Sequence, residues 1–305
     1  MTNDLSVNAA GLAALSPHFA AQREKIDQTL DRLLPSDTEY PQSIHEAIRY
    51  SVFAGGKRVR PLLLLETGEA FGGEEECLLQ AAAAVEMLHT YSLIHDDLPA
   101  MDDDTLRRGM PTSHVKFGEA TAILAGDALS TLAFQVLANL PVDPPRVLQA
   151  IRTLATAGGT LEGMIAGQVM DLKYEGRSLD LSKLEQLHRA KTGALIRASI
   201  RIGALLAGAG ATALERLDAI GARLGLVFQV MDDILDVEST PAQLGKTPGK
   251  DRKAKKYTFA DALGPDQSRR YAQRLTDEAL AELEQLDADT SKLKDLCLFL
   301  LHRRS

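Results

Sequence analysis

The stretch 92–111, SLIHDDLPAMDDDTLRRGMP, organises the rest of this sequence. It places five aspartates within nine positions and follows them at once with two arginines. An apolar run at 81–89, AAAAVEMLH, leads into it and predicts a buried helix. Carboxylates so close together repel one another, so a folded protein needs cations among them. Their hard oxygens suit Mg²⁺ together with a phosphate-bearing ligand, and a solvated acidic loop is the alternative.

The composition limits the class of protein. A chain of 305 residues with a net charge of −8 disfavours nucleic acid as a partner, and its two cysteines indicate a reducing compartment. The N-terminus has no basic leader, and no apolar run approaches about 18 residues, so we expect a cytoplasmic protein without membrane insertion. Because no composition break or internal repeat divides the chain, one domain, 1–305, is predicted.

The hydrophobic pattern predicts an all-α fold. Alternation with period two is almost absent, and segments rich in Ala, Leu, Glu and Arg recur between Pro and Gly. Helices are predicted at 17–34, 41–53, 61–71, 74–97, 117–139, 144–157, 159–173, 182–208, 211–237, 266–286 and 289–302.

The segment 55–61, GGKRVRP, has the composition of an anion site. The two glycines free the backbone, and the proline suits the first turn of a helix. Lys57 and Arg60 therefore stand near a helix N-terminus, where exposed amides and the helix dipole attract phosphate. A basic loop in water is the alternative.

The helix before the acidic segment carries His89, Ser92 and Asp96 on one stripe, because their spacings are three and four. His89 is either a satisfied core histidine or faces the same cavity as Asp96. Pro99 disfavours helical geometry and predicts a loop that brings Asp102 back towards Asp96.

A second acidic segment, 228–236 (FQVMDDILD), places one glutamine and three aspartates on one helical face. Asp232 and Asp236 are spaced to share a metal ion. A loop rich in Lys and Gly follows at 238–256, and we expect it to be mobile without ligand. Two aspartate-rich helix ends, each followed by basic residues, predict a cavity that binds a diphosphate through several Mg²⁺ ions. Such a cavity favours the departure of pyrophosphate from carbon.

With these motifs the sequence resembles the trans-isoprenyl diphosphate synthases, and most closely the bacterial farnesyl diphosphate synthases. The matching segments are GGKRVRP (55–61), HTYSLIHDDLPAMDDDTLRRG (89–109), GQVMDL (167–172), KTG (191–193), FQVMDDILD (228–236) and LGK (244–246). The resemblance implies an all-α, single-domain isoprenoid synthase fold with about ten core helices around a central cavity, usually homodimeric. It also implies condensation of isopentenyl diphosphate with dimethylallyl and geranyl diphosphate to give farnesyl diphosphate.

The resemblance also assigns site residues. About three Mg²⁺ per site, with Mn²⁺ as a substitute, are expected on Asp96, Asp97, Asp102, Asp232, Asp233 and Asp236. The allylic diphosphate is expected on Arg107, Lys191, Lys246 and Lys256, with Lys255 as an alternative to Lys256. Isopentenyl diphosphate is expected on Gly56, Lys57, Arg60, His89 and Arg108. Gln229 and the backbone near Lys191 and Thr192 are expected to face the allylic cation, and Gln168 and Asp171 to support the metal site.

Product length is also read from the resemblance. Family members with a bulky residue five positions before the first aspartate stop elongation early, and here that residue is Tyr91, followed by Ser92. Helical geometry alone places Tyr91 off the Asp96 stripe. A C15 product is expected, with a C20 product as the alternative. The C-terminal residues 302–305, HRRS, match only in part the basic tails that help close the site in this family.

Rival classes fit the sequence less well. A class I terpene cyclase would have an Asn/Ser/Glu second metal motif and many aromatic residues, and this chain has no Trp. An HD-type phosphohydrolase would leave the 228–236 helix unexplained. A P-loop fails because Thr240 stands where its first glycine belongs. An inactive regulatory subunit of the same fold is the rival from another class, although every expected aspartate and cation is present.

Overall fold

The structure is a computed structural model that describes residues 17–238 and 256–303. A two-residue antiparallel hairpin pairs β1 (Leu106–Arg107) with β2 (Met110–Pro111). All other elements within these described ranges are helical, which confirms the all-α prediction. In chain order they are α1 (Pro17–Leu33), α2 (Gln42–Val52), α3 (Val59–Ala70), α4 (Glu75–Asp96), α5 (Ser113–Phe117), α6 (Glu119–Ala138), α7 (Pro144–Gly158), α8 (Met164–Tyr174), α9 (Leu181–His188), a π-helical turn (Arg189–Gly193), α10 (Ala194–Ala207), α11 (Ala211–Glu238), α12 (Phe259–Leu263), α13 (Pro265–Leu283) and α14 (Ser291–His302).

The described chain divides into two compact units. The first unit comprises residues 17–62 and 79–141, and the second comprises 63–78 together with the described residues from 142 onward. Each unit is built from helices with its own buried apolar residues. The single domain 1–305 stays a prediction.

In the first unit, the core includes one face of α1 and the middle of α4. Phe19, Ile26 and Leu30 recur at helical spacing along α1 and have no exposed surface. The run 81–85 of α4, four alanines and a valine, is likewise fully buried. Because α4 is buried there on every side, it holds the acidic segment that follows it in a fixed place.

In the second unit, α10 and α11 make the largest contributions to the core. Ile196, Ile200 and Gly203 of α10 are buried, and a Cβ on Gly203 would overlap the backbone of Leu64 and lie 3.0 Å from the backbone nitrogen of Gly68. Glycine therefore allows α10 to pack directly on the backbone of the 63–78 segment.

Two predicted helices differ from the structure. The helix predicted at 159–173 begins only at Met164, because Glu162 takes a left-handed φ of 58° and the Gly163 backbone is crowded by Gly159. The helix predicted at 182–208 is interrupted by the π-helical turn Arg189–Gly193. A change of hydrogen-bond register inside a helix leaves no signature in the hydrophobic period, so the pattern did not predict it.

Short elements were also missed. Hydrophobic periodicity did not predict the hairpin, α5 or α12, because each is shorter than the window over which a period can be read. The helix α12 begins with a capping box in which Thr258 accepts from the N–H of Asp261 and Asp261 accepts from the N–H of Thr258.

Two described helices are long and apolar enough, by length and composition, to cross a membrane. In α4, 72% of the most apolar window is buried inside the protein, as is usual for a core helix. In α6 the buried share is 39%, so much of its apolar surface is exposed.

Candidate active site

The first acidic segment leaves the end of α4 and turns back on itself. The backbone N–H of Asp102 donates to the carbonyl of Asp96 at 2.9 Å, and that of Asp104 donates to the carbonyl of Asp97 at 3.1 Å. Asp103 supplies the left-handed conformation of this turn, with a φ of 50°. The predicted return of Asp102 towards Asp96 is confirmed.

The carboxylate of Asp97 is held by Arg107. Asp97 is 3% exposed and accepts bonds from Arg107 Nε at 2.8 and 2.9 Å and from Nη2 at 2.5 Å. Burial disfavours the charged guanidinium, but the bonds and the charge of Asp97 outweigh it and raise the pKa of Arg107. Both carboxylate oxygens accept bonds from Arg107, so this ion pair fixes the orientation of the Asp97 side chain.

Arg108 lies against the glycine loop. Gly56 has a φ of 137°, and a Cβ there would lie 2.8 Å from Arg108 Nη1. The Arg108 guanidinium also donates to the carbonyl of Gly55. Burial lowers the pKa of Arg108 to about 10, with Glu86 opposing this shift and neighbouring arginines adding to it. The structure thus brings together Gly56 and Arg108, and the glycine conformation is what makes room for the guanidinium.

His89 lies beside Arg60 and is neutral. Its Nε2 is 3.2 Å from Arg60 Nη1, and it must accept there because a guanidinium only donates. Burial, followed by the charges of the surrounding arginines, holds the pKa of His89 well below its usual value. His89 is therefore grouped with the cations of the GGKRVRP loop, in which Lys57 is half-buried.

Arg58, for which the sequence motifs indicated no role, is a buried residue that connects several elements of the structure. Arg58 is 3% exposed and donates to Glu86 at 2.8 Å, to Asp27 at 2.8 Å and to the carbonyl of Val52 at 2.7 Å. The available signal was Glu86 itself, the single acid inside the apolar run 81–89. A buried carboxylate requires a cationic partner, and Arg58 supplies it.

Tyr91 and Ser92 lie on α4. The ring of Tyr91 packs edge-on against that of His95, one turn later, with centroids 5.0 Å apart and planes at 78°. Burial raises the pKa of Tyr91. Ser92 Oγ donates to the carbonyl of His89 at 2.8 Å, so this hydroxyl is satisfied inside the helix.

The second acidic segment lies within α11. Asp233 is 3% exposed, and its Oδ1 accepts from Gln229 Nε2 at 2.8 Å while its Oδ2 accepts from the N–H of Phe259 at 2.8 Å. Gln229 Oε1 in turn accepts from Thr192 Oγ1 at 3.0 Å. These hydrogen bonds link three predicted site residues in series, from Thr192 through Gln229 to Asp233. Both carboxylate oxygens of Asp233 accept bonds from the protein, as those of Asp97 do.

The KTG motif forms most of the π-helical turn Arg189–Gly193. Two glycines let other helices approach its backbone. A Cβ on Gly167 of α8 would overlap the backbone of Lys191 and lie 2.6 Å from its Cβ, and a Cβ on Gly225 of α11 would overlap Gly193 Cα. π-helical turns are frequent at functional sites, where they redirect carbonyls out of the helical register.

Asp171 gathers two of the predicted diphosphate-binding lysines. Its Oδ2 lies 2.5 Å from Lys191 Nζ and 3.1 Å from Lys256 Nζ. Burial opposes ionisation of this carboxyl, but the two lysines outweigh it and lower the pKa of Asp171. Gln168 lies one turn earlier on α8. The loop predicted to be mobile is 238–256, and its residues 239–255, which include Lys246 and Lys255, lie outside the described residues.

The C-terminal end of α14 places Arg303 at the second acidic segment. Arg303 Nη2 lies 2.7 Å from Asp232 Oδ1, and the side chain of Arg303 is 3% exposed. The guanidinium also donates to the carbonyl of Phe228 and stacks over its ring at 4.0 Å. One basic residue of the tail is therefore bound to a predicted metal ligand, and Arg304 lies outside the described residues.

Comparison with known proteins identifies the family. The family model described as Polyprenyl synthetase matches residues 41–295. The chain is 48% identical over 289 residues to farnesyl diphosphate synthase of Escherichia coli (strain K12), covering 92% of this chain and 96% of that protein. It is 46% identical over 296 residues to heterodimeric geranylgeranyl pyrophosphate synthase large subunit 1, chloroplastic, of Arabidopsis thaliana, covering 94% and 79%.

A solved structure agrees with these relatives. The geranyltransferase from Helicobacter pylori complexed with magnesium and isoprenyl diphosphate is similar with a TM-score of 0.79 and 36% identity, over 94% of this chain and 97% of that chain. The motifs, the helical fold and these similarities agree, and the chain belongs to the polyprenyl synthetase family.

Proposed function

We propose that this protein is a prenyltransferase that joins isopentenyl diphosphate head to tail (1'-4) to dimethylallyl and then geranyl diphosphate, giving farnesyl diphosphate. One observation carries the proposal, namely that each aspartate pair combines a buried and a partly exposed carboxylate. In the first pair, Asp97 is buried and bound by protein donors, and Asp96 is partly exposed. In the second pair, Asp233 is buried and bound by protein donors, and Asp232 is partly exposed. Donors bonded to a carboxylate fix its orientation, as they do around metal-binding carboxylates.

The donor set fits Mg²⁺. The partly exposed carboxylates of Asp96, Asp102, Asp232 and Asp236 supply hard oxygens, and the ion takes a few of these with substrate phosphates. Asp97 and Asp233 belong to the same predicted set, and about three ions per site are expected. Mn²⁺ prefers similar oxygen ligands and would substitute. When bound, the ions supply positive charge that stabilises departing pyrophosphate.

Cationic side chains would bind the two diphosphates. Lys191 and Lys256, which share Asp171, would bind the allylic diphosphate with Arg107 and Lys246. For isopentenyl diphosphate we assign a second group, whose backbone and side-chain donors surround a neutral histidine. This group consists of Gly56, Lys57, Arg60, His89 and Arg108. Because His89 Nε2 accepts from Arg60, its Nδ1–H is available to donate to a phosphate oxygen.

The polar groups of the π-helical turn would face the reacting carbon. Gln229 Oε1 and the carbonyls near Lys191 and Thr192 present the negative ends of dipoles, which stabilise an allylic cation as pyrophosphate leaves. The double bond of isopentenyl diphosphate attacks this cation, and the new cation loses a proton to the released pyrophosphate. Water must be excluded during these steps, because it would capture the cation.

Tyr91, with Ser92 beside it, would stop elongation at C15. Tyr91 is bulky, partly buried and fixed by its contact with His95. A C20 product is the alternative, because similar proteins include both farnesyl and geranylgeranyl synthases. An inactive regulatory subunit is the alternative from another class.

We further propose that the protein is a cytoplasmic homodimer that binds no nucleic acid and does not insert into membranes. The apolar face of α6 supports self-association, because Ile123 is 42% and Leu124 56% exposed although both are large and hydrophobic. A second copy that covers this face would remove that surface from water. Analytical ultracentrifugation tests this, and a monomer at micromolar concentration would contradict it.

A product analysis tests the proposed function. The purified protein is incubated with Mg²⁺, isopentenyl diphosphate and, in separate reactions, dimethylallyl, geranyl and farnesyl diphosphate, and the dephosphorylated products are separated by chromatography. We expect farnesol from the first two substrates and no turnover of the third. A C20 product would keep the chemistry and overturn the length assignment. No product from any of the three would favour the inactive subunit.

A further inference from the structure

His95 connects two helices of the first unit. Its Nε2–H donates to the carbonyl of Ile123 on α6 at 3.0 Å, since a carbonyl oxygen only accepts. Asp127 Oδ1, also on α6, lies 3.9 Å from the same nitrogen. On α4, the ring of Tyr91 packs against the imidazole of His95 edge to face. The imidazole therefore fills the space between Tyr91 and the backbone of α6.

Gly126 is the residue on α6 that leaves this space open. A Cβ at Gly126 would overlap His95 Nε2 and lie 2.5 Å from Cδ2, closer than side-chain carbons pack. Gly126 is buried in the interior of α6, where glycine is less favourable than alanine. Its φ is ordinary for a helix, so backbone conformation does not require glycine there. The close approach of His95 therefore explains why a glycine occupies position 126.

We propose that Gly126 is a specificity-determining position for product length. It lets the edge of the His95 ring approach the backbone of α6, the ring fixes Tyr91, and Tyr91 sets the depth at which a growing prenyl chain stops. Gly126 acts through His95 and Tyr91 and is therefore a positioning residue. The inference rests on the proposed function, and in particular on Tyr91 as the residue that stops elongation.

The test is the product distribution of Gly126→Ala with geranyl diphosphate, isopentenyl diphosphate and Mg²⁺. The added methyl displaces the imidazole, Tyr91 loses its edge contact, and longer chains are admitted. We expect the ratio of C20 to C15 product to rise about threefold or more, the scale set by loss of one aromatic contact. The matched control is Gly210→Ala, because a Cβ there meets no atom within 4 Å. This control should keep the wild-type ratio.

A double-mutant cycle separates positioning of Tyr91 from general loosening of the fold. In a Tyr91→Ala background the residue that stops elongation is gone, so Gly126→Ala should add no further change in the C20 to C15 ratio. His95→Ala removes the ring without a steric clash and should reproduce the shift of Gly126→Ala in direction. If Gly126→Ala fails to fold, as judged by its thermal unfolding curve, the His95→Ala product ratio decides.

An unchanged ratio in folded Gly126→Ala, or in His95→Ala, would overturn the inference. So would an equal shift in the Tyr91→Ala background, because the effect would then bypass Tyr91. The wild-type reaction is measured first. If the wild type forms no prenyl product, the proposed function fails, whereas normal wild-type products with an unaltered variant ratio refute only the role of Gly126.

Discussion

The aspartate pairs Asp96–Asp97 and Asp232–Asp233 are alike in sequence but are neutralised differently. In the first unit, the buried member, Asp97, is bound by the guanidinium of Arg107. In the second unit, the buried member, Asp233, accepts from the Gln229 amide and the Phe259 N–H, and Arg303 is paired with the more exposed member, Asp232.

This difference shows which carboxylate of each pair is bound to an arginine and which remains more open. Arg107 follows Asp97 by ten residues and is locked by several bonds, so its charge is built into the first site. Arg303 is one residue beyond the end of α14 and reaches a carboxylate whose side chain is 45% exposed. Because the Asp232 side chain is partly open to solvent, a metal ion can approach it from that side, although the Arg303 side chain is only 3% exposed.

The largest effect is expected when the exposed member of the second pair loses its charge. Asp232→Asn should lower kcat about 10³-fold, the scale of losing a metal-assisted charge stabilisation. The melting temperature should change little, since asparagine can still accept from Arg303. Steady-state kinetics and thermal unfolding measure both quantities. A kcat within tenfold of wild type would remove Asp232 from the metal site.

The buried member of the same pair should instead control stability. Asp233→Ala leaves the Gln229 amide and the Phe259 N–H without their acceptor and should lower the free energy of unfolding by about 2 kcal/mol or more. Urea denaturation measures this. The control is Asp277→Ala on the exposed face of α13, with an expected change within about 0.5 kcal/mol. Equal effects at the two positions would contradict the structural role of Asp233.

Asp171 should give a pH-dependent contribution to stability. Lys191 and Lys256 overcome the cost of burial and lower the pKa of Asp171 in the folded protein. Its stabilising effect is therefore complete above the unfolded pKa of about 3.9 and is lost as pH falls through the folded value. The difference in unfolding free energy between wild type and Asp171→Asn, about 1 kcal/mol near neutrality, should shrink below about pH 4. A difference that is constant from neutral pH to pH 3 would contradict this.

The smallest effect is expected at Arg303. Removing its positive charge in Arg303→Ala should tighten Mg²⁺ binding about twofold to threefold, because a cation near Asp232 opposes the metal. Calorimetric titration of Mg²⁺ measures this without turnover, and His302→Ala, an exposed neighbour, is the control. Weaker Mg²⁺ binding in Arg303→Ala would mean that Arg303 orients Asp232 and does not compete with the metal.

Local features of the sequence predicted much of the fold and part of the site. Pro99 predicted the turn that returns Asp102 to Asp96, because its effect on the backbone is confined to neighbouring residues. Most long helices follow from hydrophobic spacing within one element. The GGKRVRP loop and Arg108 are brought together as the resemblance implied, but the sequence alone did not contain the reason, which is the conformation of Gly56.

The features that the sequence did not predict depend on contacts between residues that are distant along the chain. Arg58 finds Glu86 28 residues away, and Arg303 reaches the carbonyl of Phe228 75 residues away. The π-helical turn that contains Lys191 requires glycines on two other helices. Hydrophobic periodicity and residue type carry no information about such pairings, so the two buried arginines and the π-helical turn needed the folded structure.

The most direct test of this account compares Asp96→Ala with Asp97→Ala in the first pair, using kcat and thermal unfolding on the same preparations. Asp96→Ala should lose about three orders of magnitude in turnover and keep its melting temperature. Asp97→Ala should unfold at a clearly lower temperature, because the buried Arg107 would lose its closest counter-ion and keep only Asp104 at 3.9 Å, at a cost of about 3 kcal/mol. Near-normal turnover in Asp96→Ala, or an unaltered melting temperature in Asp97→Ala, would contradict the account.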